Sequence, residues 1–134
     1  MNVKYNIDLT EDEYIHFSGN TIEELKDFIY PDNFKDCCGL IKNNNKILNI
    51  ASVKECGVYI GYDDGENVRL SLYDRNNLDK VVDVWGDGLY VSEGLFISPE
   101  TAWQCIHEFV TTGSIDYNIE WISPDDLPEN ANYL

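Results

Sequence analysis

Basic residues are scarce in this chain of 134 residues: nine Lys and Arg stand against 25 Asp and Glu, a formal net charge of −16. The last base is Lys80, and from Val81 to Leu134 there are ten acids and no Lys or Arg. Affinity for a nucleic-acid backbone comes from cations that release condensed counterions, so direct nucleic-acid binding is excluded. An anionic membrane surface repels the same charge. No stretch is long and apolar enough to span a bilayer. The opening Met1-Asn-Val-Lys-Tyr-Asn-Ile-Asp8 has no apolar run of signal-peptide length, so a cytoplasmic protein is expected. A CxxC pair is also lacking: Cys37 and Cys38 are adjacent, and Cys56 and Cys105 stand alone. A zinc site is therefore not expected, and in a reducing compartment the four thiols should be free and buried.

The familiar catalytic patterns are missing too. There is no P-loop, no GxGxxG and no GxSxG elbow; the glycine-containing pieces Gly61 to Gly65 and Gly86 to Gly88 fall in hairpin turns rather than before helices. His107-Glu108 begins like a zinc-protease helix, but position 111 is Thr, so the second ligand is absent and His107 reads as a solvated residue. His16, between Ile15 and Phe17, reads as a strand or loop residue. Cys105 falls on an apolar helix face, where a thiol is inert. Asp63, Asp64 and Glu66 lack the alternating spacing of a calcium loop. With 25 acids, chance carboxylate pairs carry no weight as glycosidase signatures. The expectation is a protein that is not an enzyme and uses neither metal nor cofactor.

What is present is enough for a folded domain. Hydrophobic residues make up 43% and aromatics 13%, and a chain of this size buries roughly 70% of its unfolded surface. Residues 1–134 are read as one domain. Val3, Tyr5 and Ile7 alternate, which predicts a strand over Asn2 to Asp8. Thr21-Ile-Glu-Glu24 is a capping box, with Asn20 as the competing cap, and opens a helix that Pro31 ends. Two short apolar runs, Cys38 to Lys42 and Lys46 to Ser52, flank Asn43-Asn44-Asn45 and suggest a hairpin.

A second hairpin joins Val58, Ile60, Tyr62 to Val68, Leu70, Leu72. Pairing Ile60 with Leu70, Val58 with Leu72 and Tyr62 with Val68 makes one wholly apolar face, which predicts an odd loop of about three or five residues. A third hairpin, Val81 to Trp85 with Leu89 to Val91, is expected to turn at Asp87-Gly88, setting Trp85 opposite Tyr90 and Val84 opposite Val91. Ser98 as N-cap, Pro99 at N1, Glu100 in the first turn and Gly113 as the terminal cap define the clearest helix. Its apolar stripe is Ala102, Trp103, Cys105, Ile106, Phe109 and Val110. A last strand spans Asn118 to Ile122, and Asp125 to Leu134 reads as an irregular polar tail. The sum is an α+β fold, an antiparallel sheet of five or more strands packed with two amphipathic helices. Trp103 and Trp121 are expected in the core, whereas Trp85 suits either the core or an exposed binding surface.

A strongly acidic domain without catalytic signatures is better explained as a binder. One segment says more. Gly94-Leu-Phe-Ile-Ser-Pro-Glu-Thr-Ala-Trp-Gln-Cys-Ile-His-Glu-Phe-Val-Thr-Thr-Gly113, followed by Ile119-Glu-Trp121, resembles the C-terminal part of a bacterial immunity-protein family. This is the family of polymorphic-toxin and contact-dependent growth inhibition systems first associated with deaminase-type toxins. Its pattern is a short apolar strand, a helix led by proline or an acid, Phe-x-x-Thr-Gly, and then a strand with Trp. Those positions are Pro99, Glu100, Phe109, Thr112, Gly113 and Trp121 here, and Val58-Tyr-Ile-Gly61 with the hairpin to Tyr73 resembles the preceding strand pair. The resemblance covers roughly residues 55–123.

The resemblance implies a protein that binds the C-terminal domain of its cognate toxin in the cytoplasm, one to one, and blocks its active site or substrate groove. Toxins that act on nucleic acid carry basic grooves, to which an acidic partner is steered. The expected contact residues are Asp63, Asp64 and Glu66 at one hairpin tip, with Asp83, Trp85, Asp87, Tyr90 and Glu93 around the other. Composition alone also fits an acidic adaptor or nucleic-acid mimic that binds several basic proteins.

Overall fold

The fold is described from a computed structural model. The described residues are 4–11, 15–29, 37–53, 56–83, 88–115 and 118–133, with backbone alone for 4–11, 15–20, 25, 27–29 and 37–39. Among the described residues the strands are β1 (Lys4–Glu11), β2 (Ile15–Thr21), β3 (Cys37–Asn43), β4 (Lys46–Val53), β5 (Gly57–Asp63), β6 (Val68–Leu72), β7 (Val81–Asp83), β8 (Tyr90–Ser92) and β9 (Glu120–Ile122). The helices are α1 (Ile22–Ile29) and α2 (Pro99–Thr112). Seven strands form one antiparallel sheet in the order β2-β1-β3-β4-β5-β6-β9, and β7 pairs with β8 in a second, smaller sheet. The fold is α+β.

Local chemistry sets the helix ends. Thr21 rather than Asn20 caps α1, its Oγ1 accepting the Glu24 N–H at 3.2 Å. Ser98 caps α2 by accepting the Thr101 N–H, Pro99 sits at the first helical position, and Gly113 closes the helix at φ 77° with its N–H on the Phe109 carbonyl. Ala102, Cys105, Ile106, Phe109 and Val110 are all buried, as the stripe predicts, and Cys105 lies within the core. Trp103 and Trp121, expected in the core, are instead half-buried and pack against its margin. Pro31 lies outside the described residues.

Both faces of the sheet are covered. On one, α2 packs on Ile41, Leu48, Ile50, Val58, Ile60 and Tyr62, with Ile22 of α1 alongside. Tyr62 and Phe109 meet edge to face, ring centroids 6.2 Å apart. On the other, Ala51, Tyr59, Leu70, Leu72 and Ile122 meet Leu78, Val91, Leu95 and Phe96. The β7–β8 hairpin and the segment leading into α2 therefore close the second face. No helix among the described residues is long and apolar enough to cross a membrane.

The β3–β4 hairpin forms as expected. Asn43 pairs with Lys46 across a tight turn in which Asn44 takes φ 57°. Asn43 also reaches across the molecule, its Nδ2 donating to the carbonyls of Phe109 at 2.9 Å and Val110 at 3.5 Å. It thus satisfies carbonyls in the last turn of α2, which have few intrahelical donors. Asn43→Ala is expected to lower stability by about 1 kcal/mol. Asn43→Asp should cost more, because a carboxylate cannot donate and faces the negative helix end. Urea midpoints of the two variants check the order.

Two expected registers are corrected. In β5–β6, Gly61 pairs with Leu70, Tyr62 with Arg69 and Asp63 with Val68, one residue away from the predicted set, and the loop has four residues rather than an odd number. The prediction assumed one buried face. Here Val58, Tyr59, Ile60, Gly61 and Tyr62 are all buried, so alternation does not select the register. Leu70 and Leu72 join Tyr59 on the second face, and Arg69 stays half-buried, its guanidinium donating to the Val68 carbonyl. In β7–β8, Val82 rather than Val84 pairs with Val91, and Asp83 rather than Trp85 pairs with Tyr90. The shift is two residues, so the apolar faces still match. It is closed by Asp83, whose carboxylate accepts the Gly88 N–H at 3.1 Å. Trp85 and the Gly86-Asp87 part of the expected turn lie outside the described residues.

Other bounds differ more modestly. The first strand runs on past Asp8 to Glu11, while Asn2 and Val3 lie outside the described residues, and β9 is shorter than the run from Asn118. His16 lies in β2, where it pairs with Thr10. The tail is more ordered than its composition implies. Pro124–Asp126 form a 3-10 turn capped by Ser123, and Asn132 bridges Val91 in parallel.

Candidate partner-binding surface

The two groups of predicted contact residues sit on separate turns, and no hydrogen bond or ion pair among the described residues joins them. At the β5–β6 tip, Asp63 and Asp64 face their own turn. Asp63 Oδ1 accepts the Gly65 N–H at 2.8 Å, and Asp64 Oδ1 accepts those of Glu66 at 2.9 Å and Asn67 at 2.7 Å. These are Asx turns, the standard use of Asp in such loops. The Asn67 and Glu66 N–H groups hold the Asp64 carboxyl below its ordinary value. Glu66 is exposed and spends no carboxylate oxygen on the turn.

At the β7–β8 hairpin, Asp83 is likewise committed to the Gly88 N–H, while Glu93 is exposed. Tyr90 is 45% exposed, which is high for an aromatic ring on a strand. Trp85 and Asp87 lie outside the described residues. The hairpin tips thus divide chemically. Asp63, Asp64 and Asp83 build turns, whereas Glu66, Glu93 and the Tyr90 ring are offered to solvent.

The tertiary structure adds a neighbour that sequence reading missed. The tail returns to β8, where Asn132 Oδ1 accepts the Tyr90 N–H at 3.1 Å and the Asn132 N–H donates to the Tyr90 carbonyl at 2.6 Å. This places Tyr133, itself 51% exposed, beside the strand that carries Tyr90. Glu129 is exposed in the same tail, as are Asp125 and Asp126. No sequence pattern announces this, because the contact joins residues far apart in the chain.

A second feature lies on the outer side of α2. Trp103, Gln104, His107 and Glu108 form two adjacent rows at helical spacing, and Asn118 approaches them from the loop before β9. Together they line an open groove of about 450 Å³. The His107 ring stands edge-on to Trp103, centroids 6.3 Å apart, and the Lys26 ammonium of α1 lies 5.9 Å from the centre of the same indole. The spacing of Gln104, His107 and Glu108 was readable as a polar face, but Trp103 was assigned to the buried stripe, and the approach of Asn118 was not readable.

No group of three or more metal-ligating side chains occurs among the described residues. What both regions offer is acceptor chemistry beside aromatic rings, suited to recognising donors and cations. No family model, no curated protein and no solved structure matches the chain.

Proposed function

We propose that this chain is a cytoplasmic immunity protein that neutralises a cognate secreted bacterial toxin domain, of a class that attacks nucleic acid. It does so without turnover, by laying an acidic surface over the toxin's active site or substrate groove. The observation that carries this reading is the state of the acids after Lys80. Asp83, Glu93, Glu100, Asp125, Asp126 and Glu129 are exposed. Among the described acids of this stretch, only Glu120 meets a base, Arg75, at 3.2 Å. That exposed pair adds little to stability. A surface of unneutralised carboxylates projects a negative field that attracts a basic groove and speeds encounter. Tyr90 and Tyr133 supply what charge does not, rigid amphipathic rings able to anchor an interface. The segment from Gly94 to Trp121, with its resemblance to the immunity family, fits the same role.

The test is co-expression with the toxin C-terminal domain encoded immediately upstream. Rescue of growth and a one-to-one complex are expected. The association rate should fall about tenfold or more between 50 and 500 mM salt, since exposed charges lie beyond the shortened Debye length. A harmless upstream domain, or no association, would overturn the immunity reading. Equal binding to unrelated basic proteins would favour the acidic adaptor instead.

A further inference from the structure

We infer that the groove on the outer side of α2 is a socket for an arginine side chain, contributed by the protein's basic partner. The inference rests on the reading that the partner is basic and names one of its contacts. Three observations converge. First, the side chains of Gln104, His107 and Glu108 open into one groove; Gln104 and His107 are exposed, Glu108 is half-buried, and none of the three is tied by a hydrogen bond or ion pair to another side chain among the described residues. Polar groups that line a concave surface and are held by water alone can turn to a ligand without breaking a contact within the fold.

Second, the wall of that groove is the Trp103 indole, whose π face already attracts a cation from the chain itself, the Lys26 ammonium at 5.9 Å. Third, the charge selects the ligand. The Glu108 carboxylate in a chain of net charge −16 disfavours anions. One carboxylate and one imidazole are too few to hold a metal ion.

Among cations the geometry favours guanidinium. It is flat, so it can stack on an indole, and its several N–H donors can meet the Glu108 carboxylate and the Gln104 carbonyl oxygen together. An ammonium is a compact point charge that cannot use the wall and the acceptors in the same way.

The experiment titrates the full chain with N-acetyl-arginine amide, N-acetyl-lysine amide and N-acetyl-citrulline amide, followed by ¹H–¹⁵N NMR. Saturable shifts confined to the Trp103 indole N–H and the backbone amides around Gln104 to Glu108 are expected with the arginine probe. The lysine probe should bind at least about threefold more weakly. The citrulline probe, isosteric but uncharged, should leave these signals in place. Glu108→Gln should weaken the arginine probe about fivefold while the rest of the spectrum stays unchanged. Shifts scattered over all the exposed acids, equal responses to arginine and lysine, or an indifferent Glu108→Gln variant would each overturn the socket. No toxin enters this experiment, so its failure leaves co-expression rescue untouched, and a failed rescue leaves the groove's preference measurable.

Discussion

Gly94→Ala is expected to destabilise the protein by about 3 kcal/mol or more, lowering the melting temperature by roughly 10 °C. Gly94 lies where the chain passes from β8 towards α2. Its carbonyl accepts the N–H groups of both Tyr73 at 2.8 Å and Asp74 at 3.0 Å, which ties this crossing to the end of β6. A Cβ built on Gly94 would fall 2.1 Å from the Asp74 carbonyl oxygen and 3.2 Å from the carbonyl carbons of Asp74 and Asn77. All three are backbone atoms, so no side chain can swing aside, and the turn after β6 must move. The comparison that isolates this mechanism is Gly65→Ala. Gly65 has φ 93° but open space around it, so its substitution should cost only the backbone penalty, about 1–2 kcal/mol. Thermal and urea unfolding of both variants decide the matter, and a Gly94→Ala loss no larger than that of Gly65→Ala would refute the close-packing account.

Ser71→Ala should cost a comparable amount, about 3 kcal/mol. Ser71 is fully buried, and its hydroxyl accepts the Ile60 N–H at 3.0 Å while donating to the Leu95 carbonyl at 2.8 Å. It stands where the β5–β6 ladder stops. Beyond Gly61 the edge of β5 is taken over by Ile97, which exchanges two hydrogen bonds with Val58 at 2.9 and 2.8 Å. One hydroxyl thus completes the hydrogen bonding between three segments. Removing it strands two buried backbone groups, each worth about 1–3 kcal/mol when unsatisfied. Ser92→Ala is the graded comparison, because the buried Ser92 hydroxyl serves only the Leu78 carbonyl, at 2.7 Å. The expected order is Ser71→Ala well below Ser92→Ala in urea midpoint, with faster amide exchange at Ile60 in the former alone. Equal losses, or an Ile60 amide as protected as in the parent, would contradict this role.

Elements governed by neighbours in sequence were legible from the amino acids alone. The Thr21 cap of α1, the Ser98-Pro99 start and Gly113 stop of α2, its buried stripe, and the tight turn between β3 and β4 all depend on contacts a few residues apart. Local chemistry determines these whatever the rest of the chain does. The same holds for the charge: ten acids and no Lys or Arg after Lys80 are a property of the sequence, and they set the sign of its field before any fold is known. The carboxylates that form turns were partly legible as well, since Asp63 and Asp64 stand in a turn composition.

Only the tertiary structure decided which face each residue of β5 and β6 serves. A strand covered on both sides has no polar face to forbid a one-residue slip. The register therefore went to the arrangement that sends Leu70 and Leu72 against Tyr59 and leaves Ser71 to join Ile60 and Leu95. The docking of the tail beside Tyr90 and the meeting of Asn118 with the outer face of α2 belong to the same class. The first joins residues far apart in the chain through directional contacts, the second sets a loop residue beside a helix face, and neither leaves a periodic trace in the sequence. The caps, stripes and charge of this protein are thus written in its local order, whereas its second core and the shape of its surface exist only once the sheet has been covered on both sides.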